Sequence, residues 1–234
     1  MSPSDTDRHT RVRPRAARRW RLVLLSGACL VPVLLLGAFL ALTFRPAWYQ
    51  PGAVDRGRLL ADKTALAQLQ DDISAALNAG RTARFRLDEA QLNRWLTARG
   101  ELWPELGADP EGIGQPVVRL AYGVIRVAVL ARVRGAEAIV ELAGRVEPTA
   151  ESIVVHCAHV RVGAVPIPRD WVLGQVSRRL ARAANTKLTV AHGALRLANE
   201  WVWPNGKRRF RVAEIVVSAG AVEVALEPLG SAGR

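Results

Sequence analysis

The chain has 234 residues, a formal charge of +12, 50% hydrophobic residues and two cysteines. So few cysteines exclude a disulfide-stapled fold, and core packing alone must hold any domain together. Of the 33 basic residues only Lys63, Lys187 and Lys207 are lysine, so a general arginine preference accounts for the basic excess as readily as an anionic partner does.

Residues 1–21 form an arginine-rich tail, with Arg8, Arg11, Arg13, Arg15, Arg18, Arg19 and Arg21 against Asp5 and Asp7. Residues 22–44 follow as an uncharged, almost wholly apolar run of 23 residues. At about 1.5 Å per helical residue such a run crosses a hydrocarbon core of roughly 30 Å. Basic residues beside a span stay cytoplasmic, and Trp20 at one end with Trp48 and Tyr49 at the other suit the two interfacial belts. The run exceeds the apolar region of a cleaved signal peptide, about 7–15 residues. Ala41-Leu42-Thr43 is a poor cleavage site, Arg18-Arg19 lacks a twin-arginine continuation, and Ser26-Gly27-Ala28-Cys29 lacks the leucine of an acylation box. The pattern therefore predicts a single-pass anchor in the cell membrane, N-terminus cytoplasmic, with residues 45–234 extracytoplasmic (periplasmic). On that side nucleic acid drops out as a partner, leaving anionic lipid or polymer. Cys29 in the span and Cys157 beyond it cannot pair.

Residues 45–57, with Pro46, Pro51 and Gly52, read as a juxtamembrane linker. A helix is predicted over 58–78, where Leu59, Leu60, Leu66, Leu69, Ile73 and Leu77 recur near the helical period, and a second over 88–99. From Pro116 the period changes to two. The runs 124–133, 139–146 and 152–162 read as an antiparallel meander, with turns at Tyr122-Gly123, Arg134-Gly135 and Pro148-Thr149. Pro166-Ile167-Pro168 interrupts it, and Asp170 opens a helix to about Asn185. Strands over 194–203 and 207–217 flank the turn signal Pro204-Asn205-Gly206, and Val222, Val224 and Leu226 mark a last strand. This order predicts an α+β fold: an N-terminal transmembrane helix, then one ectodomain, residues 58–234, with a twisted antiparallel sheet packed on two or three helices.

No constellation of reactive groups emerges, so neither catalysis, a cofactor nor a bound metal is expected. His156 and His159 stand three apart on a strand and should face opposite ways, which prevents them sharing an ion. Cys157 reads as a buried structural thiol. No nucleophile elbow or phosphate-cradling glycine loop is present.

Three features bear on function. Arg178, Arg179 and Arg182 lie opposite the apolar stripe of the helix opened by Asp170, as lipid-headgroup contacts or as a solvated face. Trp201 and Trp203 share a strand face beside Lys207, Arg208 and Arg209, and fit a membrane- or ligand-gripping tip as well as an ordinary core. Finally, several strands look apolar on both faces: Val124, Ala128 and Leu130 oppose the Ile125 side, while Val154, Ala158, Val160 and Val162 oppose Ile153 and Val155. Such a sheet is covered on both sides, by helices or by an apolar ligand.

The stretch from Phe85 to Leu96, with Asp88-Glu89 and Leu92-Asn93, resembles the opening motif of YpmS-like bacterial proteins. Val162-Gly163-Ala164-Val165-Pro166-Ile167-Pro168 resembles a glycine–proline step of the same family. Those are uncharacterised single-span proteins with an extracytoplasmic α+β domain, and the layout is similar from about Leu59 to Val217. More distantly the pattern resembles tubular lipid-binding domains, in which a curved antiparallel sheet wraps a helix around an apolar groove. The resemblance implies a lipid or other hydrophobic ligand and carries over no catalytic residue. The expectation is a non-catalytic, membrane-anchored domain that binds a lipid-like or hydrophobic ligand, or the envelope surface, next to the bilayer. The candidate contact residues are Trp201, Trp203, Arg208, Arg209, Arg178 and Arg182. The alternative is an accessory that docks an envelope protein.

Overall fold

The computed structural model describes residues 36–104, 113–133, 135–174, 188–191, 193–203 and 208–230. The chain divides into two compact units, Met1–Ala41 and Leu42–Arg234. Residues 36–43 are helical. No helix of the described residues is long and apolar enough to cross a membrane; residues 22–35 of the expected span lie outside them.

The second unit is α+β, but its strands form two antiparallel sheets where the sequence suggests one. Helix α1 (Leu59–Asn78) ends where Gly80 turns left-handed at φ 69. There Arg81 N–H donates to Ala76 O and Gly80 N–H to Leu77 O, closing the last turn in a Schellman arrangement that satisfies two terminal carbonyls. The apolar stripe of α1, Leu69, Ile73, Ala76 and Leu77, packs on a four-stranded sheet of order β1 (Ala83–Asp88), β11 (Ala221–Leu229), β10 (Arg209–Ser218) and β9 (Trp201–Val202). Ala83, Phe85, Phe210, Val212, Val224 and Leu226 meet the helix. Strand β1 is absent from the sequence expectation, although Ala83-Arg84-Phe85-Arg86-Leu87-Asp88 alternates cleanly in burial.

The larger sheet has seven strands. Its order is β2 (Ile113–Ala121), β3 (Val124–Val133), β4 (Ala136–Pro148), β5 (Ser152–Val162), β8 (Ala194–Ala198) and β7 (Leu188–Ala191), with β6 (Val165–Ile167) folded back onto β5. The meander β2–β5 falls where the period of two places it. The expected strand over 194–203 is instead cut in two. Its first half, β8, belongs to the seven-stranded sheet and its second half, β9, to the four-stranded one. Asn199 sits at the crossing.

Asn199 is buried and stitches the sheets together. Its Nδ2 donates to Thr149 O at 2.7 Å and Val212 O at 2.8 Å, its Oδ1 accepts from Val212 N, and its own N–H donates to Glu151 O. At the other end of β10 the turns are tied by Gly123 N–H to Val217 O and Gly220 N–H to Leu120 O. Helix α2 (Glu89–Thr97) and the single turn α3 (Arg99–Leu102) follow β1. The helix opened by Asp170 is present at residues 169–174, and the rest of it lies outside the described residues.

Candidate functional site

Directly paired residues of an antiparallel sheet project to the same side, so the register sorts the side chains of the seven-stranded sheet into two faces. The decisive irregularity is in β5. Ala143 pairs with His159 but Gly144 pairs with Cys157, leaving Ala158 as an extra residue in a β-bulge. The bulge resets the alternation. Val160 and Val162 therefore join Ile153, Val155 and Cys157 on one face, and the expectation that they oppose Ile153 and Val155 is corrected. On β3 the expected alternation stands, with Val124, Ala128 and Leu130 opposite Ile125, so the sheet is apolar on both sides there.

The sorting is complete for charge. All six arginines and three glutamates of strands β2–β8 fall on one face: Arg119, Arg126, Arg132, Arg145, Arg161 and Arg196 with Glu137, Glu141 and Glu147. The opposite face is aliphatic from β2 to β8. Ile125, Val127, Val129, Leu142, Val155 and Val162 on that face are only half-buried. Part of it is covered where Leu173, 2% exposed, packs on Cys157 and Val160. Two residues earlier on the same helix Trp171 is 64% exposed.

The charged face is polar without being open throughout. Toward β2 and β3 it is roofed by Trp48 and Tyr49, which pack on Val117, Ala128 and Ile139. The Tyr49 hydroxyl donates to Gln115 O at 2.9 Å and accepts from Leu130 N at 3.1 Å, filling the gap where the β2–β3 register shifts. Burial pushes its phenol above the ordinary value. Residues 45–57 belong to the same compact unit as the sheets. Beside this roof Glu141 is 4% exposed. His159 Nε2 lies 3.4 Å from its Oε1 and Arg126 Nη1 lies 4.0 Å away. Arg126 Nε is buried without a hydrogen-bond partner. At the rim Arg132 and Arg45 both engage Glu137, and the Arg132 guanidinium holds that carboxyl below the usual range.

The same bulge overturns the geometry expected of the histidines. His156 pairs with Arg145 and His159 with Ala143, so both occupy the charged face. Each meets its own carboxylate, His156 with Glu147 at 3.3 Å and His159 with Glu141. No group of three metal-ligating side chains occurs among the described residues. Cys157 is buried, and its burial raises the thiol above its ordinary value, which leaves little thiolate for nucleophilic work.

The expected contact residues separate. Trp203 lies in the core of the four-stranded sheet: its Nε1 donates to Ser74 Oγ at 2.7 Å and its ring stands edge-on to Phe210 at 5.6 Å. Trp201 remains 37% exposed. Arg208 donates to Asn78 O at the C-terminus of α1, and Arg209 pairs with Glu200. Arg178 and Arg182 lie outside the described residues. The outer face of the four-stranded sheet holds a shallow 250 Å³ cleft, but its charges are already matched: Arg84 with Glu214 and Arg86 with Glu223.

Sequence reasoning misses the role of the Glu89–Asn93 motif. Four residues apart on α2, these side chains lie one turn above each other along the free edge of β2. Asn93 Nδ2 donates to Val118 O at 2.8 Å, its Oδ1 accepts from Val118 N at 2.7 Å, and Glu89 Oε2 accepts from Leu120 N at 2.6 Å. The helix thus closes an edge that would otherwise offer unpaired backbone groups. No family model matches the chain, and no curated protein and no solved structure matches it.

Proposed function

We propose that the chain is a single-pass, membrane-anchored extracytoplasmic domain that binds a lipid-like molecule without catalysis. The aliphatic face of the seven-stranded sheet would seat its hydrocarbon. The observation that carries this reading is the sorting of charge. Nine charged side chains occupy one face and leave the other aliphatic, with Ile125, Val127, Val129, Leu142, Val155 and Val162 only half-buried on three of its strands.

Two further observations agree. Trp171, with an apolar ring and a polar edge, stands exposed on the helix whose Leu173 packs on that face, a composition suited to a lipid interface. The resemblance to YpmS-like and tubular lipid-binding proteins points to the same ligand class. Membrane proximity follows if residues 22–44 span the bilayer. Tyr49 is fixed on the sheet only five residues beyond Phe44, a reach of at most about 18 Å even for extended chain.

A second reading, docking of an envelope protein, draws support from β9. This two-residue edge strand exposes Val202 at 61% together with Trp201, and an exposed apolar edge is a common protein contact. Mass spectrometry of the chain extracted in mild detergent separates the two. A stoichiometric lipid or other amphiphile that stays bound through purification supports the first. A ligand-free chain that retains a protein partner supports the second.

A further inference from the structure

Six arginines on one sheet face could simply follow the arginine preference of the whole chain, but the two sheets use arginine differently. On the outer face of the four-stranded sheet Arg84, Arg86 and Arg211 each pair with a glutamate, at 2.9, 3.0 and 2.7 Å. On the seven-stranded sheet Arg119, Arg145, Arg161 and Arg196 are exposed and make no ion pair among the described residues, whereas Arg126 and Arg132 meet Glu141 and Glu137. Arg119 stands directly opposite Arg126 across the β2–β3 pair. Like charges in that position repel. Arg126 already leaves its Nε buried without a partner. Glu141 meets Arg126 only at 4.0 Å, and the exposed guanidinium groups around it stand open to an anionic partner. Guanidinium groups suit phosphate oxygens because their planar forks bind two oxygens at once.

The position of the face identifies the source of the phosphate. Trp48 and Tyr49 enter the fold on this face, against Val117, Ala128 and Ile139. The segment that follows Phe44 therefore enters the fold on the side that carries these arginines. We infer that the arginine face of the seven-stranded sheet, Arg119 and Arg126 with Arg145, Arg161 and Arg196, docks on the headgroups of an anionic phospholipid bilayer. This turns the aliphatic face away from the headgroups and leaves it free for its own ligand. The inference rests on the reading of residues 22–44 as a membrane anchor.

Arginine-selective labelling of the full chain tests it without any substitution. The chain is placed in nanodiscs of zwitterionic lipid and in nanodiscs doped with phosphatidylglycerol, treated with phenylglyoxal, and the modified arginines are mapped by mass spectrometry. Severalfold slower labelling of Arg119, Arg145, Arg161 and Arg196 in the anionic discs, reversed by raising the salt, is the expected result. Arg84 and Arg86 should label equally in both discs and serve as internal references. Equal labelling of all six overturns the inference while leaving the anchor intact. Protection by inorganic phosphate in zwitterionic discs, without protection by phosphatidylglycerol, also overturns it and assigns the face to a small anion. A chain that never enters either disc overturns the anchor and the inference together.

Discussion

Asn93 and Asn199 use one chemical property, an amide that carries both a donor and an acceptor, to replace missing strand neighbours. Asn93 supplies both partners that Val118 would otherwise find in another strand. Asn199 does the same for Val212 where the chain leaves one sheet for the other. Losing a buried hydrogen-bond partner costs about 1–3 kcal/mol for each group left unpaired. Asn199→Ala, at a site 1% exposed, should lower the unfolding free energy by more than Asn93→Ala, whose site is only half-buried. Urea unfolding of the purified variants measures the difference; equal or negligible losses would contradict these roles. Tyr49 gives a pH signature. Its buried phenol holds its proton more tightly in the folded state than the ordinary value of 10.0. Its contribution is therefore whole below pH 10.0 and is lost as pH rises through the higher folded value. Stability of the native chain should fall more steeply above that pH than stability of Tyr49→Phe, as unfolding midpoints on either side of it will show.

Among the elements, the β5 bulge has the widest consequence. It brings Val160 and Val162 to the face of Val155 and leaves His159 and Arg161 with His156. Gly144 makes the close approach possible, because a Cβ there would lie 2.7 Å from His156 O. That atom is backbone and cannot swing aside, so Gly144→Ala should either remove the bulge or cost about 1–3 kcal/mol, the range for overpacking. The amide hydrogen-exchange pattern of residues 153–162 distinguishes these outcomes, and an unchanged pattern with unchanged stability would contradict the role given to Gly144. The period-two runs at 124–133, 139–146 and 152–162 made the strands legible in sequence, as the leucine stripe did for α1. The faces were not legible, since one extra residue inverts every later assignment and Cys157-Ala158 carries no glycine or other bulge signal. Trp203 was equally ambiguous, because only the tertiary partners Ser74 and Phe210 decide that it belongs to a core. The Glu89–Asn93 pair was noticed as a motif, yet its partner strand begins 20 residues beyond Asn93 and no local pattern connects them. β1 is different. Its alternation is plain in Ala83–Asp88, and a six-residue strand between two helices was overlooked for its brevity.

At the scale of the molecule the two sheets divide the work. The four-stranded sheet, backed by α1 and faced by matched ion pairs, is a support. The seven-stranded sheet carries an aliphatic face and an arginine-rich face back to back, with Arg119, Arg145, Arg161 and Arg196 exposed on the latter. In the function proposed above, the aliphatic face holds hydrocarbon. The most direct measurement incorporates a phospholipid with a photoactivatable acyl chain into membranes bearing the full chain, then maps the cross-linked peptides after irradiation. Adducts should concentrate at alternate positions of the central strands, at Val127, Val129, Leu142, Val155 and Val162, and be absent from Arg126, Glu141 and Arg161 between them. Adducts confined to residues 22–44, or spread evenly over both faces, would contradict the claim.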